Sequence, residues 1–229
     1  LTVLEADEST RYLVLEMGAS GSGHIAYLTD IAPLDAAGVL MIGHAHMGGF
    51  GSIEGVAAAK AEIIAGLLPE GTAILNADDA RCAAMAELAP ARVLTFSAQG
   101  EPADLQAENV VLDEAACAAF DLHLPGLDVP RRVQLAVAGA HNVANALAAA
   151  GLALAAGLEP ELIAERLGSV SIESPHRMDV SELSGDLLLI DDSYNANIDS
   201  MTAALAALPA LAGSRRRVVV VSEMLELGE

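Results

Sequence analysis

Short apolar runs alternate along this chain with longer runs that repeat at helical spacing. "YLVLEMG" (12–18), "AAGVLMIG" (36–43), "TAILN" (72–76) and "RVLTFS" (92–97) have the length and apolar content of buried strands. Between them, "HIAYLTDIA" (24–32), the stretch after Ser52 and "DDARCAAMAELA" (78–89) read as helices. Such alternation lays helices over a mostly parallel sheet, so the fold class is α/β. Residues 107–137 break the rhythm. Their runs "ENVVLDE", "AFDLHLPG" and "RRVQLAV" are short, alternating and separated by Pro and Gly, which predicts a small antiparallel appendage. "HNVANALAAAGLALAAG" and "PELIAERLG" are again helical. "DLLLIDDSYNAN", a helix from Asp199 and the strand-like "RRRVVVVSEM" then restart the first pattern. The boundary is placed near Pro175, dividing the chain into residues 1–175 and 176–229.

Composition narrows the function. At 53% hydrophobic the chain can bury a sizeable core, yet no run reaches the ~18 apolar residues of a membrane span. With a formal net charge of −21, a basic surface for nucleic acid is disfavoured. An anionic ligand would need metal ions, arginines or helix N-termini. Cys82 and Cys117 form neither a disulfide framework nor a metal-ligand cluster, which suits thiols of a cytoplasmic protein. No signal peptide is visible. The first residue is Leu rather than Met, and the chain stops just after a strand-like run, so it is expected to be an internal piece of a longer protein.

Lys60 is the only lysine, against ten arginines. Ser52 is a plausible N-cap, and Ile53, Val56, Ala57, Ile64 and Leu67 follow at helical spacing. Lys60 falls in the middle of that stripe, while Glu54 and Glu62 point elsewhere. A charged amine facing a core is costly unless it is paired or altered. The plain alternative is a packed stem with its head snorkelling to water. The sharper reading is chemistry that arginine lacks: a buried lysine can lose its proton and act as an amine nucleophile. Because Ala61 follows the one lysine, these residues contain no Gly-Lys-Ser/Thr phosphate-binding loop.

Other polar clusters lie at the carboxyl ends of the strand-like runs, where ligands gather in open α/β sheets. Glu16 precedes Gly18, Gly21 and Gly23 and could hold a metal, or simply end a strand. His44 and His46 could ligate a metal, or be polar loop residues. Asn142 and Asn145 share one face of a first helical turn and could read a base edge; Asn142 could equally cap that helix. Arg177 suits phosphate. Asp191, Asp192, Ser193, Tyr194, Asn195 and Asn197 crowd the end of another strand, as a site or as a turn.

"VLEMGAS…GHI", "AHMGGFGSIEGVAAAKAEI", "ILNADD", "GAHNVANALAA", "SPHRMDV" and "IDDSYNANIDSM…MLELGE" together resemble the Mur ligases, ATP-dependent amide-forming enzymes of peptidoglycan synthesis. The resemblance covers essentially the whole chain, and "DDSYNAN" with "DSM" is similar to the D-alanyl-D-alanine-adding branch. It implies a central ATP-binding domain followed by the start of a Rossmann-like domain. It also implies a reaction: ATP phosphorylates the terminal carboxylate of UDP-N-acetylmuramoyl-tripeptide, and the amine of D-Ala-D-Ala attacks the acyl phosphate. Two Mg2+ ions would neutralise the transferring phosphoryl group.

Position by position, the resemblance implies that Glu16 lies near the first magnesium and His46 ligates the second. It implies that Lys60 takes up carbon dioxide as a carbamate, becoming a catalytic orienter or metal ligand. Asn142 and Asn145 match the adenine side, Arg177 a phosphate contact and Asp192 the ribose-side acid. A cytoplasmic monomer is implied, with no nucleic acid partner. Three positions depart from the family pattern: Met41 for Asn, Ile198 for Pro and Ser222 for Gly. Without the phosphate loop, the chain alone is expected to be catalytically silent. Two other readings stay open: another Mur-type or folylpolyglutamate-type ligase with a different acceptor, and a non-catalytic nucleotide-binding remnant.

Overall fold

The computed structural model describes residues 2–43, 50–170 and 176–224. Six strands form one sheet in sequence order: β1 (Leu34–Val39), β2 (Leu67–Asn76), β3 (Arg92–Ser97), β4 (Leu105–Leu112), β5 (Cys117–His123) and β6 (Arg131–Ala138). β1 to β4 pair in parallel, and β4 to β6 continue antiparallel. The expected antiparallel appendage is therefore an extension of the main sheet. It joins through a short β3–β4 ladder, Phe96 with Leu105 and Ser97 with Gln106.

Helices cover both faces. α1 (His24–Ile31) packs against α2 (Ile53–Ala65) beside β1. α3 (Ala80–Ala84) follows β2 and runs into a 3₁₀ turn. α4 (Asn142–Ala155) and α5 (Pro160–Leu167) cover the opposite face. β2 shows why: Ile74 belongs to the core beneath α4, while Ala73 and Leu75 join Val56 and Ile64 of α2 on the other side. A strand buried on both faces reads as a continuous apolar run, as "TAILN" does. Gly151 lets α4 come close, because a Cβ there would stand 2.9 Å from Cγ2 of Ile74.

The second section forms a hairpin, β7 (Asp179–Leu183) with β8 (Leu187–Asp191), then α6 (Ile198–Ala212). Asn197 and Ser200 build a reciprocal capping box at the start of α6. Met178 and Leu211 pack with Ala116 and Ala138 at the end of the main sheet, with Leu188 and Ile190 of β8 against them. Ile198 occupies the first helical position, where proline is also favoured, so this departure from the family pattern leaves the helix start intact.

Two expected strands are not strands. Residues 12–18 have no ladder partner, and Val14 is 85% exposed. Residues 215–224 are likewise unpaired, with Val220 92% exposed. Both are apolar enough for a strand, but a strand exists only as half of a ladder, and neither run meets a second edge. Ser222 lies in the latter segment, exposed. The boundary near Pro175 lies outside the described residues.

Candidate functional site

α2 begins as its sequence predicts: the Ser52 side chain accepts from the Gly55 amide at 3.1 Å. The helix buries Val56, Ala59 and Ile64, and aims Lys60 at the carboxyl end of β1. There Lys60 Nζ donates to the Met41 carbonyl at 2.7 Å. Lys60 is half-buried, and burial pulls its pKa below the ordinary lysine value. Cys82, Asp79 and Asp199 lie close enough for their charges to oppose that shift. The stem packs along α2 and the head ends on an exposed hydrogen bond to a carbonyl at the strand end. The contact also bears on the Met41 substitution: residue 41 serves Lys60 through its backbone, which any side chain would supply.

A cavity of about 340 Å³ opens at this strand end. Glu16, Gly18, Met41, Gly43, Phe50 and Lys60 are among the residues lining it. Glu16 and Lys60, which lie on different segments of the chain, thus share one space. Glu16 itself is exposed. His44 and His46 lie outside the described residues.

Three hydrogen bonds fix the backbone that forms the cavity wall. The Asn76 amide donates to the Leu40 carbonyl at 2.8 Å, Lys60 donates to Met41, and the Ile42 amide donates to Asp79 at 2.7 Å. The other oxygen of Asp79 caps α3, accepting from Arg81 and Cys82 amides. Burial alone would raise the Asp79 pKa, but these donated hydrogen bonds hold it below the ordinary value. Cys82 is buried beside it, and burial with the Asp79 charge pushes its thiol up to about 12. Asp78 turns the other way, accepting from the Ser97 hydroxyl and the Ala98 amide. In the sequence "ILNADD" is legible as a family motif, but its spacing assigns these residues no task. The available signal was a run of amide and acid side chains directly after a buried strand.

Glu62, two residues beyond Lys60, performs a related task. Its carboxylate accepts from the Gly23 amide at 2.6 Å and from the Ala26 amide at 3.1 Å, tying the glycine turn after Glu16 to α2.

A second cluster forms where α4 meets the second section. Asn142 is the first helical residue rather than the cap; the N-cap is His141. Asn142 donates to the Ala138 carbonyl, and Asn145 donates to the Asn142 side-chain oxygen at 2.9 Å. The two amides are therefore locked together, with Asn145 outermost. Burial lowers the His141 pKa and the Asp192 charge acts against that, so Asp192 sits next to this helix start. Asp192 also accepts from the Met178 amide at 3.0 Å. The Arg177 guanidinium lies over the Tyr194 ring, 4.2 Å from its centroid. His176 and Asp191 meet at 2.7 Å, and hydrogen bonds from the Ser193 and His176 side chains bring the Asp191 carboxyl down to about 2. The structure thus gathers Asn142, Asn145, Arg177 and Asp192 into one neighbourhood, and Glu16 with Lys60 into another.

Among the described residues, no three His, Cys, Asp or Glu side chains cluster at metal-ligand spacing. Glu16 brings a carboxylate to the Lys60 cavity, an oxygen donor of the kind that suits a hard cation such as Mg2+.

Comparison with known proteins gives the following. Residues 1–153 match the family model of the Mur ligase middle domain, and residues 176–229 match that of the Mur ligase, glutamate ligase domain. A UDP-N-acetylmuramoyl-tripeptide–D-alanyl-D-alanine ligase of Mycobacterium tuberculosis H37Rv is 45% identical, over all of this chain and 45% of that protein. A crystal structure of MurF from Acinetobacter baumannii superposes with a TM-score of 0.84 at 37% identity, covering 91% of this chain and 44% of that one. MurF ligase from Thermotoga maritima, solved in complex with ADP, gives 0.78 at 29% identity, covering 94% and 48%. The chain spans about half the length of the curated relatives it matches.

Proposed function

The chain belongs to the Mur ligase family, and from that premise we propose that it is the central part of an ATP-dependent ligase joining D-Ala-D-Ala to UDP-N-acetylmuramoyl-tripeptide in peptidoglycan synthesis. The observation that carries this reading is the shared cavity of Glu16 and the sole lysine at the carboxyl end of a parallel strand. The substrate class comes from relatives matched over the full chain.

In the proposed reaction, a carboxylate oxygen of the tripeptide attacks the γ-phosphorus of ATP, and the bond to ADP breaks. The D-Ala-D-Ala amine then attacks the acyl carbon. The C–O bond to phosphate breaks, leaving an amide, inorganic phosphate and a proton. We assign Lys60 to a carbamate. Its lowered pKa makes the neutral amine more available, and that amine can add to carbon dioxide with loss of a proton. The product replaces a cation by an oxygen-bearing anion in the same cavity as Glu16. Mg2+ would be held by Glu16 and the carbamate, with His46 assigned to a second ion; bound there, it would neutralise phosphoryl charge. Asn142 and Asn145 are assigned to the adenine, Arg177 to phosphate and Asp192 to the ribose. The nucleotide-linked substrate suits a cytoplasmic enzyme, proposed as a monomer; among the described residues no helix is long and apolar enough to cross a membrane. Residues 1–175 and 176–229 are proposed as separate units; the ends of the two family matches support that division.

The test uses the full-length enzyme. Phosphate release should require both tripeptide and D-Ala-D-Ala, and should not respond to diaminopimelate or glutamate as acceptor. Lys60 should carry one extra carbon dioxide when mass is measured without acid. Activity with a different acceptor would move the enzyme to another branch. Nucleotide binding without any phosphate release would favour the non-catalytic reading.

A further inference from the structure

The backbone of residues 40–42 is held on three sides by Asn76, Lys60 and Asp79. The next residue, Gly43, lines the cavity and meets the second section: a Cβ built there would stand 2.6 Å from Asp199 Oδ2. Asp199 lies in the first turn of α6, whose start is fixed by the Asn197–Ser200 capping box. Asp199 also lies within electrostatic reach of Lys60. A carboxylate of the second section is thus seated behind Gly43, one of the residues that line the cavity, and glycine at 43 leaves the room for it.

We propose that Asp199 is a positioning residue for the Lys60 cavity, seated against Gly43 so that it holds the backbone next to the Lys60 contact in place. The proposal rests on the ligase reading above. The plain alternative is that Asp199 serves its own helix, since an acid in a first turn favours the macrodipole. That role would change stability and leave turnover alone.

The experiment measures kcat, KM and the urea midpoint for full-length Asp199→Ala, Asp199→Asn, Gly43→Ala and the double variant Gly43→Ala/Asp199→Ala, with Lys60→Ala in the same series. Asp199→Ala should lower kcat by about tenfold or more, as displaced positioning groups do, with KM for the tripeptide within about twofold. Gly43→Ala should reproduce that loss, because the added methyl takes the space the carboxylate occupies. The double variant should lose clearly less than the product of the two single losses, since both substitutions break the Gly43–Asp199 contact. Asp199→Asn keeps the shape and removes the charge, so its loss measures the electrostatic share.

Unchanged kcat in Asp199→Ala, a lowered urea midpoint alone, or multiplying losses in the double variant would overturn the proposal. Should Lys60→Ala keep full activity, the assignment of Lys60 itself fails. Should Lys60→Ala be inactive while Asp199→Ala is fully active, the ligase reading stands and only the positioning role is lost.

Discussion

An amine partly withdrawn from water is a weaker base than one in bulk water, because the ammonium loses more hydration than the neutral form. Lys60 is half-buried, burial outweighs the nearby acids, and as the only lysine it can be watched without interference from another side-chain amine. Reductive methylation of the 229-residue chain with a carbon-13 label should give one side-chain signal. It should titrate below the ordinary lysine value of 10.5. A titration at or above that value would mean the amine is solvated and the environment argument wrong. Lys60→Arg sharpens the chemistry. Arginine keeps the charge and can still reach a carbonyl, but it forms no carbamate. In the full-length enzyme it should cost more than about 100-fold in kcat, the scale of losing a positioned catalytic group. Near-normal turnover would show that a cation suffices at position 60.

At the scale of elements, Asp79 is the residue on which most converges. It caps α3 and also takes the Ile42 amide at the end of β1. Asp79→Ala removes a cap worth about 1 kcal/mol. It also leaves a part-buried amide unpaired, at about 1–3 kcal/mol. The urea midpoint should fall by an equivalent of about 2–4 kcal/mol, against only the cap's share for Ser52→Ala. Equal losses would mean that the link to Ile42 carries nothing.

The same elements show what the sequence reveals. α2 and its Ser52 cap were legible because a helix closes its hydrogen bonds within itself. β2 and β3 were legible as buried apolar runs. Residues 12–18 and 215–224 looked the same, yet stayed unpaired, because a strand's other half lies elsewhere and periodicity is silent about it. The polar positions divide similarly. Family motifs picked out Glu16 and Lys60, and the fold brings them to one cavity. Asn76 and Glu62 bond to distant backbone, and Asp199 lies against Gly43; spacing along the chain does not encode such contacts.

At the scale of the whole molecule, the charge of −21 sets the response to acid. A net charge that far from zero destabilises the compact state by self-repulsion. As pH falls from about 8 toward about 5, the net negative charge shrinks and the repulsion eases, so stability should rise. His141 opposes this, because its pKa is lowered by burial and folding disfavours its charged form. It is one group against a field summed over the surface. Below about pH 4 the sign reverses. Asp79, Glu62 and Asp191 have folded pKa values held down by hydrogen bonds. Their contribution is fully present above the unfolded carboxylate value and is lost as pH falls through the folded one, about 2 for Asp191. Urea midpoints of the 229-residue chain should therefore peak between about pH 4 and 6 and fall steeply below about pH 3. Raising salt from about 0.01 M to about 0.15 M shortens the screening length to about 8 Å, so it should lift the midpoint at pH 8 more than at the peak. A midpoint that falls steadily from pH 8 to 5, or a salt response equal at both, would mean that the paired carboxylates and His141 outweigh the field of the surface.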